Sequence, residues 1–365
     1  MKLKQNRVNK RLKHIIKSVS IVGMSSALFA SNLAFSKEIP VKPYTVKESS
    51  FSQTLSAGKF LLPAQDGWWN WGMAPIYDEE GKLHIFNSSI PYKGKKGWGY
   101  WLTKCTIVHY VADSIEGPFV RKETAFSSDS ATYCNPQVSK VDDGYVMVYL
   151  TNAEPNTKHQ AVGIATAKSL NGPWTESPHN PVIKPTPNTV HAVHASNPTF
   201  VKDKDGKYRI YYKSMTENPG FRELSVAIAD DIAGPYSNHP SSPVISYKAI
   251  QRDIEDPYVF FYQDNYYMLL EDRLDVVAGL AGVKATPDVK AGGWRPGLIY
   301  KSKDGFNWGL PEIGFGSDTD YFDKKGSRTE RPHILFKDGK PAYLFLTSAD
   351  TVEAGFYLKI GDWQP

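Results

Sequence analysis

A dipeptide ending in proline recurs five times along this chain, and each copy opens the same succession of a β-rich run, a polar turn and a second β-rich run. The five prolines are Pro75, Pro136, Pro198, Pro257 and Pro332, and they are 61, 62, 59 and 75 residues apart. The turns are rich in Asp, Gly and Lys, as at residues 203–207, which is typical of antiparallel hairpins. A repeat of this period indicates one supersecondary unit used five times.

A second mark follows inside the units. Gly-Pro-aromatic turns come after a third β-rich run at residues 117–119, 172–174 and 234–236, and the fourth unit has residues 304–308 at this place. Each unit therefore has three strands and room for a fourth. Four-stranded units repeated radially form a propeller, so we predict an all-β, five-bladed β-propeller. The alternative, a β-sandwich, does not explain five matches at a near-constant period. The longer last interval predicts a loop between Arg273 and Gly293.

The N-terminus has the pattern of a cleaved signal peptide over residues 1–36. A basic head precedes a mostly apolar stretch from Ile15 to Phe35, and Ala34-Phe35-Ser36 places small residues where a signal peptidase cuts. The remaining residues, 37–365, are predicted to form a single propeller catalytic domain that is periplasmic or secreted. The stretch interrupted by Lys17 and several serines is a weak candidate for a permanent membrane anchor.

Removal of this segment changes the charge. Residues 1–36 contain seven of the 43 basic residues and no acidic one, which leaves 36 basic against 38 acidic residues, a net charge of −2. The basic pI therefore gives no reason to expect a nucleic-acid partner, or a membrane partner after cleavage. Pairing of the two cysteines, Cys105 and Cys134, stays open at this stage, because sequence cannot place their Cβ atoms.

The residues before the prolines are the candidate site. In a propeller the first strands of the blades run along the axis, so their openings meet at one mouth. The residues at these openings are Ala74, Asn135, Asn197, Asp256 and Arg331, and Glu255 and Glu330 come one step earlier in the last two blades. A purely structural ring favours small or apolar residues, whereas convergent polar groups in a concavity favour a functional site.

These motifs resemble the five-bladed propeller glycoside hydrolases of families 32, 43 and 117, and most closely an exported, sucrase-like branch. The resemblance rests on Trp69-Asn70-Trp71-Gly72, Asn135-Pro136, Ser196-Asn197-Pro198, Ile254-Glu255-Asp256-Pro257 and Thr329-Glu330-Arg331-Pro332, in this order and spacing. It implies hydrolysis of glycosidic bonds. The inverting members place an Asp base on the first blade and an Asp that sets a pKa on the second. Ala74 and Asn135 occupy those places here, so the family's catalytic residues do not carry over.

Hydrolysis needs a protonated carboxyl and a second group acting as base or nucleophile. We predict that these come from Glu255, Asp256 and Glu330, with His333 as a further catalytic candidate, since family 117 uses a histidine as acid. The predicted substrate-binding residues are Asn135, Asn197, Arg331, Trp71 and His194. No cofactor is expected. His191 and His194 lack the further ligands of a zinc site, so no metal is predicted.

Arg331 carries a separate prediction. Its guanidinium has no evident use in packing and suits a carboxylate or sulfate on the substrate. The competing interpretation is that Arg331 pairs with Asp256, Glu255 or Glu330. Arg209, Lys213 and Arg222 could meet an acidic sugar, but each is interpreted by default as a surface charge.

The leading hypothesis is an exo-acting glycoside hydrolase that trims plant or algal oligosaccharides, including anionic ones, as a monomer or small homo-oligomer. The second is a uronate-specific lyase, in which Arg331 or Arg252 neutralises the carboxylate and a His or Tyr removes the C5 proton. The third is a carbohydrate-binding propeller without catalysis.

Overall fold

The computed structural model describes residues 43–62, 67–91, 98–285, 295–322, 329–348 and 355–365. The predicted signal peptide, and with it the predicted boundary at residue 36, lies outside the described residues. No helix in these described ranges is long and apolar enough to cross a membrane.

The described strands form five four-stranded antiparallel sheets, which confirms the predicted five-bladed propeller. In chain order the strands are β1 (Leu55–Phe60), β2 (Trp68–Tyr77), β3 (Leu83–Pro91), β4 (Thr106–Ala112), β5 (Val120–Phe126), β6 (Cys134–Val141), β7 (Gly144–Asn152), β8 (Gln160–Ala167), β9 (Thr175–Glu176), β10 (His194–Lys202), β11 (Tyr208–Met215), β12 (Glu223–Ala229), β13 (Ser237–Asn238), β14 (Ile254–Tyr262), β15 (Asn265–Asp272), β16 (Gly297–Ser302), β17 (Glu312–Phe315), β18 (Thr329–Lys337), β19 (Lys340–Ser348) and β20 (Gly355–Ile360).

Each blade begins with one of the predicted hairpins, and its first strand faces the axis. The first strands contact one another in a closed circle, from β2 through β6, β10, β14 and β18 back to β2. The fifth blade takes its outer strand from the other end of the chain, since β1 pairs with β20 from Leu55 opposite Ile360 to Phe60 opposite Phe356. This pairing joins the two ends of the propeller, a feature that the sequence did not predict.

The helical elements are short. They are α1 (Ser50–Thr54), α2 (Val276–Leu280) and α3 (Asp318–Tyr321), with 3-10 turns at Trp98–Leu102 and Lys248–Ile250. The core lies mainly between blades, as where Phe51 of α1 and Trp363 pack on Phe315 and Phe356 between the fourth and fifth sheets. Since a blade is covered on both faces, middle strands such as β15 are buried along their whole length.

Every first strand contains a bulge, and the position of the bulge shows which residues of the five blades are equivalent. The register with the second strand slips between Cys134 and Gln137 in the second blade and between Trp71 and Ala74 in the first. At the bulge, Gly72, Asn135, Asn197, Asp256 and Arg331 all have φ between 50° and 60°. The residue equivalent to Asn135 is therefore Gly72, and the prediction that it is Ala74 was wrong by two residues.

The physical reason is that the shared feature is a left-handed backbone, not the dipeptide with proline. Glycine enters this conformation without steric cost, and Asn and Asp tolerate it better than most residues. In the first blade Gly72 supplies it, and Pro75 pairs in regular register with Ile85.

Candidate active site

Four of the five bulge residues form a closed circuit of hydrogen bonds around the axis, which we call the polar ring (Asn135, Asn197, Asp256 and Arg331). Asn135 Nδ2 donates to Asn197 Oδ1 at 2.9 Å, and Asn197 Nδ2 donates to Asp256 Oδ1. Arg331 donates to Asp256 through its backbone N–H and through Nη1, both at 3.2 Å, and its Nη2 donates to the carbonyl oxygen of Asn135 at 3.2 Å. Gly72, the fifth bulge residue, has no side chain to join this circuit. It lies against Arg331, since a Cβ at position 72 would be only 3.3 Å from Arg331 Nε.

The polar ring bears directly on two predicted roles. Both oxygens of Asp256 accept hydrogen bonds within the ring, so its carboxylate braces neighbouring blades. The prediction that the Arg331 guanidinium has no structural use was wrong, because Nη1 pairs with Asp256 and Nη2 binds a carbonyl oxygen on a third blade. The competing interpretation, in which Arg331 pairs with a carboxylate, matches this geometry.

A cavity of about 190 Å³ opens at the polar ring, and we call it the axial cavity. It brings together eight of the nine predicted site residues, which are Trp71, Asn135, His194, Asn197, Glu255, Asp256, Glu330 and Arg331. Trp71, Glu255 and Glu330 occupy equivalent positions in their blades, one residue before the bulge. The residue before the bulge therefore contributes the side chain that is open to a substrate, whereas the bulge residues mainly form hydrogen bonds with one another.

His333, the ninth predicted residue, does not line the axial cavity. It lies two residues beyond Arg331 on β18, buried against the ring of Tyr258 with centroids 5.0 Å apart. Burial, with the charge of Arg331, lowers the pKa of His333 to about 3. The position and the lowered pKa of His333 therefore give no support to its predicted role as an acid in this cavity.

Glu255 is fixed as an anion by three cations on one wall of the cavity, which we call the cation wall (Lys213, Arg222 and Arg273). Lys213 Nζ lies 2.8 Å and Arg222 Nε 3.4 Å from Glu255 Oε2, and Arg273 Nε lies 2.8 Å from Oε1. Burial alone would raise the pKa of Glu255, but the three positive charges outweigh it and hold that pKa well below its usual range. Glu255 is therefore ionised at neutral pH.

A second group of carboxylates lies beside the polar ring. Asp256, Glu271 and Glu330 are all buried, and one oxygen from each lies within 4.8 Å of the others. Carboxylates this close cannot all ionise cheaply, so such a group holds a shared proton or a cation. Within this group, Asp256 is bound by Asn197 and Arg331 of the polar ring.

His194 lines the cavity near the cation wall and is neutral. Burial and the charges of Lys213 and Arg222 lower its pKa to about 3. Its Nε2 is buried and has no hydrogen-bond partner within the described part of the chain, and the same is true of Gln160 Oε1 on the cavity lining. Both unpaired atoms therefore belong to residues of the cavity lining.

Solved structures that resemble this chain include glycoside hydrolases. Zg3597, a family 117 glycoside hydrolase produced by the marine bacterium Zobellia galactanivorans, superposes with a TM-score of 0.58 at 16% identity over 85% of this chain and 90% of that one. A thermostable family-43 glycoside hydrolase gives 0.57 at 14% identity over 84% and 98%. A further glycoside hydrolase gives 0.59 at 13% identity over 86% and 92%. No family model and no curated protein matches the sequence.

The chain has the five-bladed glycoside hydrolase fold. In the first blade of this glycoside hydrolase-like propeller, the bulge carries Trp71 and Gly72, and neither residue is acidic. All carboxylates of the axial cavity and the neighbouring cluster come from the fourth and fifth blades, on β14, β15 and β18.

Sequence reasoning missed most of the cation wall and one aromatic contact. Lys213 and Arg222 were interpreted as surface charges, but Lys213 is buried and both line the axial cavity. Arg273 and Trp101 line it as well. The available signal was cross-strand position, because Lys213 on β11 lies opposite Ser196, the equivalent of Glu255 in the third blade.

Two other charged residues named from the sequence are structural. Arg252 is buried and donates to the carbonyl oxygens of Gln251, Asp275 and Val283, so it has no part in the axial cavity. Arg209 pairs with Asp203 in a buried contact, which corrects its interpretation as a surface charge. Cys105 and Cys134 are both buried and both free thiols, in one cluster with Trp71.

Proposed function

We propose that this protein is a glycoside hydrolase that releases single sugars from the ends of oligosaccharides bound in the axial cavity. One observation carries the proposal. An ionised carboxylate, Glu255, and a crowded carboxylate group that includes Glu330 face the same cavity, in a fold shared with glycoside hydrolases.

Hydrolysis requires one protonated and one ionised carboxyl group, and the proposal gives these roles to Glu330 and Glu255. Crowding with Glu271 and Asp256 favours a proton on Glu330, which would donate it to the oxygen of the leaving sugar. Glu255, held as an anion, would stabilise the positive charge that develops at the anomeric carbon. Water then adds to that carbon, and its proton returns to the enzyme.

The walls of the cavity suit one sugar ring. Trp71 and Trp101 line it, and aromatic faces pack on the apolar C–H face of a pyranose. The volume of about 190 Å³ is smaller than the roughly 300–1,000 Å³ common for drug-sized ligands. A pocket of this size supports cleavage at a chain end.

An oligosaccharide substrate and export are part of the same proposal. A family 43 subgroup 1 enzyme from Xanthomonas citri, with a TM-score of 0.51 and 11% identity, was solved in complex with xylotriose. The basic and apolar N-terminal pattern of residues 1–36 supports action outside the cytoplasm.

Glu330→Gln tests the proposal most directly. We expect the substitution to lower kcat by at least ~10²-fold, because glutamine cannot donate the proton. Release of reducing ends from a panel of plant and algal oligosaccharides measures it. Glu123→Gln, at an exposed position on β5, is the matched control and should be fully active. Unchanged turnover in Glu330→Gln would refute the role of Glu330.

One observation favours a second candidate, β-elimination from a uronic acid. His194, a neutral histidine whose Nε2 has no partner within the described residues, lines the same cavity as the three cations. Elimination requires a base to remove the C5 proton and cations to neutralise the carboxylate of the uronic acid. The same digests separate the two reactions, because elimination gives an unsaturated uronate that absorbs in the ultraviolet and hydrolysis does not. In that case His194→Gln, rather than Glu330→Gln, would abolish turnover.

A further inference from the structure

We propose that the sugar bound in the axial cavity carries an anionic group, a carboxylate or a sulfate, and that Arg222 and Arg273 of the cation wall bind it. The inference rests on the proposed function in placing a sugar in this cavity. Anion recognition, which the sequence analysis assigned to Arg331, is thereby assigned to Arg222 of the third blade and Arg273 of the fourth.

The two arginines are anchored in a way that leaves donors open. Arg273 contacts Glu255 through Nε, and its two terminal nitrogens have no partner among the described residues. Arg222 binds Asp253 through Nη1 and lies near Glu255 through Nε. Their side chains are 28% and 27% exposed, in contrast to 4% for Lys213, so the two arginines are the more accessible members of the cation wall.

A fixed guanidinium with an open edge is specific for planar or tetrahedral anions. On Arg273 the two terminal N–H groups match two oxygens of a carboxylate or sulfate, whereas Arg222, whose Nη1 binds Asp253, offers Nη2. The contacts of both Nε atoms with Glu255 preorganise the side chains, so little entropy is lost on binding. Arg331 lacks this freedom, because Nη1 and Nη2 are both used within the polar ring and its side chain is 3% exposed.

An independent observation indicates that a polar ligand belongs at this wall. His194 is more than nine-tenths buried, lines the same cavity, and its Nε2 has no partner within the described residues. The side-chain carbonyl oxygen of Gln160, Oε1, is also buried and also has no partner within the described residues. Unpaired buried polar atoms are rare in folded proteins, and hydroxyl groups of a sugar whose anion is held by Arg273 would pair them.

Binding measured by titration calorimetry tests this inference without requiring turnover. The probes are disaccharides ending in galacturonate, in glucuronate and in a sulfated galactose, each beside its carboxyl-reduced or desulfated counterpart. We expect at least ~10-fold tighter binding of one anionic probe than of its neutral counterpart. The carboxylate and sulfate arms identify the group that is recognised.

Substitutions assign the effect to the cation wall. Arg273→Gln and Arg222→Gln should each weaken binding of the anionic probe and so remove its preference over the neutral probe, whereas Arg121→Gln, an exposed arginine on β5, should retain the preference. A Tm within a few degrees of wild type checks folding. Equal affinity for charged and neutral probes, binding of none of them, or a preference that survives both substitutions would overturn the inference. Because binding is the readout, an inactive enzyme that still prefers anions would refute the proposed hydrolysis and leave this inference standing.

Discussion

Replacement of Asp256 by asparagine should destabilise the whole propeller, although the change removes only a charge. Asp256 and Arg331 form an ion pair in which each side chain is 3% exposed. An asparagine side chain at this position could still accept from Asn197, but it could not accept from both the backbone N–H and the guanidinium of Arg331. The arginine is then a buried charge without its counter-ion.

Removal of one partner from a buried pair typically costs about 3–5 kcal/mol. For domains of about 150–250 residues each kcal/mol lowers Tm by roughly 2–4 °C, so the expected drop is on the order of 6–20 °C at most. Differential scanning calorimetry measures it. Glu79→Gln, which removes the same charge from the exposed pair with Lys140, is the control and should leave Tm unchanged.

A double-mutant cycle with Arg331→Met separates the pair from other effects. The double variant should be less destabilised than the sum of the single variants by at least ~1 kcal/mol, because the unpaired charge is gone. Additive losses, or an Asp256→Asn variant as stable as wild type, would show that the two side chains do not stabilise each other and would refute the structural role given to the polar ring.

Three further outcomes are expected. Glu255→Gln should lower kcat by at least ~10²-fold in steady-state kinetics and should also lower Tm, because buried Lys213 loses its counter-ion, and retained turnover would leave Glu255 only an anchoring role for the cations. Burial raises the pKa of Asp272 to about 7, so the folded protein keeps a proton that the unfolded chain has lost, and stability falls as pH rises from about 4 to 7. Urea unfolding at pH 5 and pH 7.5 should show this fall in wild type and not in Asp272→Asn; equal falls would contradict it. Gly72→Ala should cost more stability than Gly81→Ala, since both have positive φ but only a Cβ at position 72 meets Arg331, and equal losses in denaturant titration would contradict the contact.

Much of the fold was predictable from the sequence because it is encoded locally. Each hairpin carries its own turn residues between runs of Tyr, Val and Ile, and the repetition of that unit indicated five blades. Convergence of Asn135, Asn197, Asp256 and Arg331 followed from the geometry of a propeller. The family resemblance added the expected chemistry.

The tertiary structure decided what the local pattern could not. The first blade was misaligned because the equivalent of Asn135 is defined by a left-handed backbone at Gly72, and no side chain marks that conformation. Arg331 was assigned to substrate because its partners, Asp256 and the Asn135 carbonyl, lie on other blades, 75 and 196 residues away in sequence.

The cation wall shows the same limit. Lys213 and Arg222 belong to the third blade, whereas Glu255 and Arg273 belong to the fourth. The spacing of Lys213, Arg222 and Arg273 along the chain does not indicate that all three contact one carboxylate. The sequence by itself determined which turns and strands form, since these depend on neighbours in the chain. Which charges meet at the axis depends on how separate blades pack, and only the folded propeller decides that.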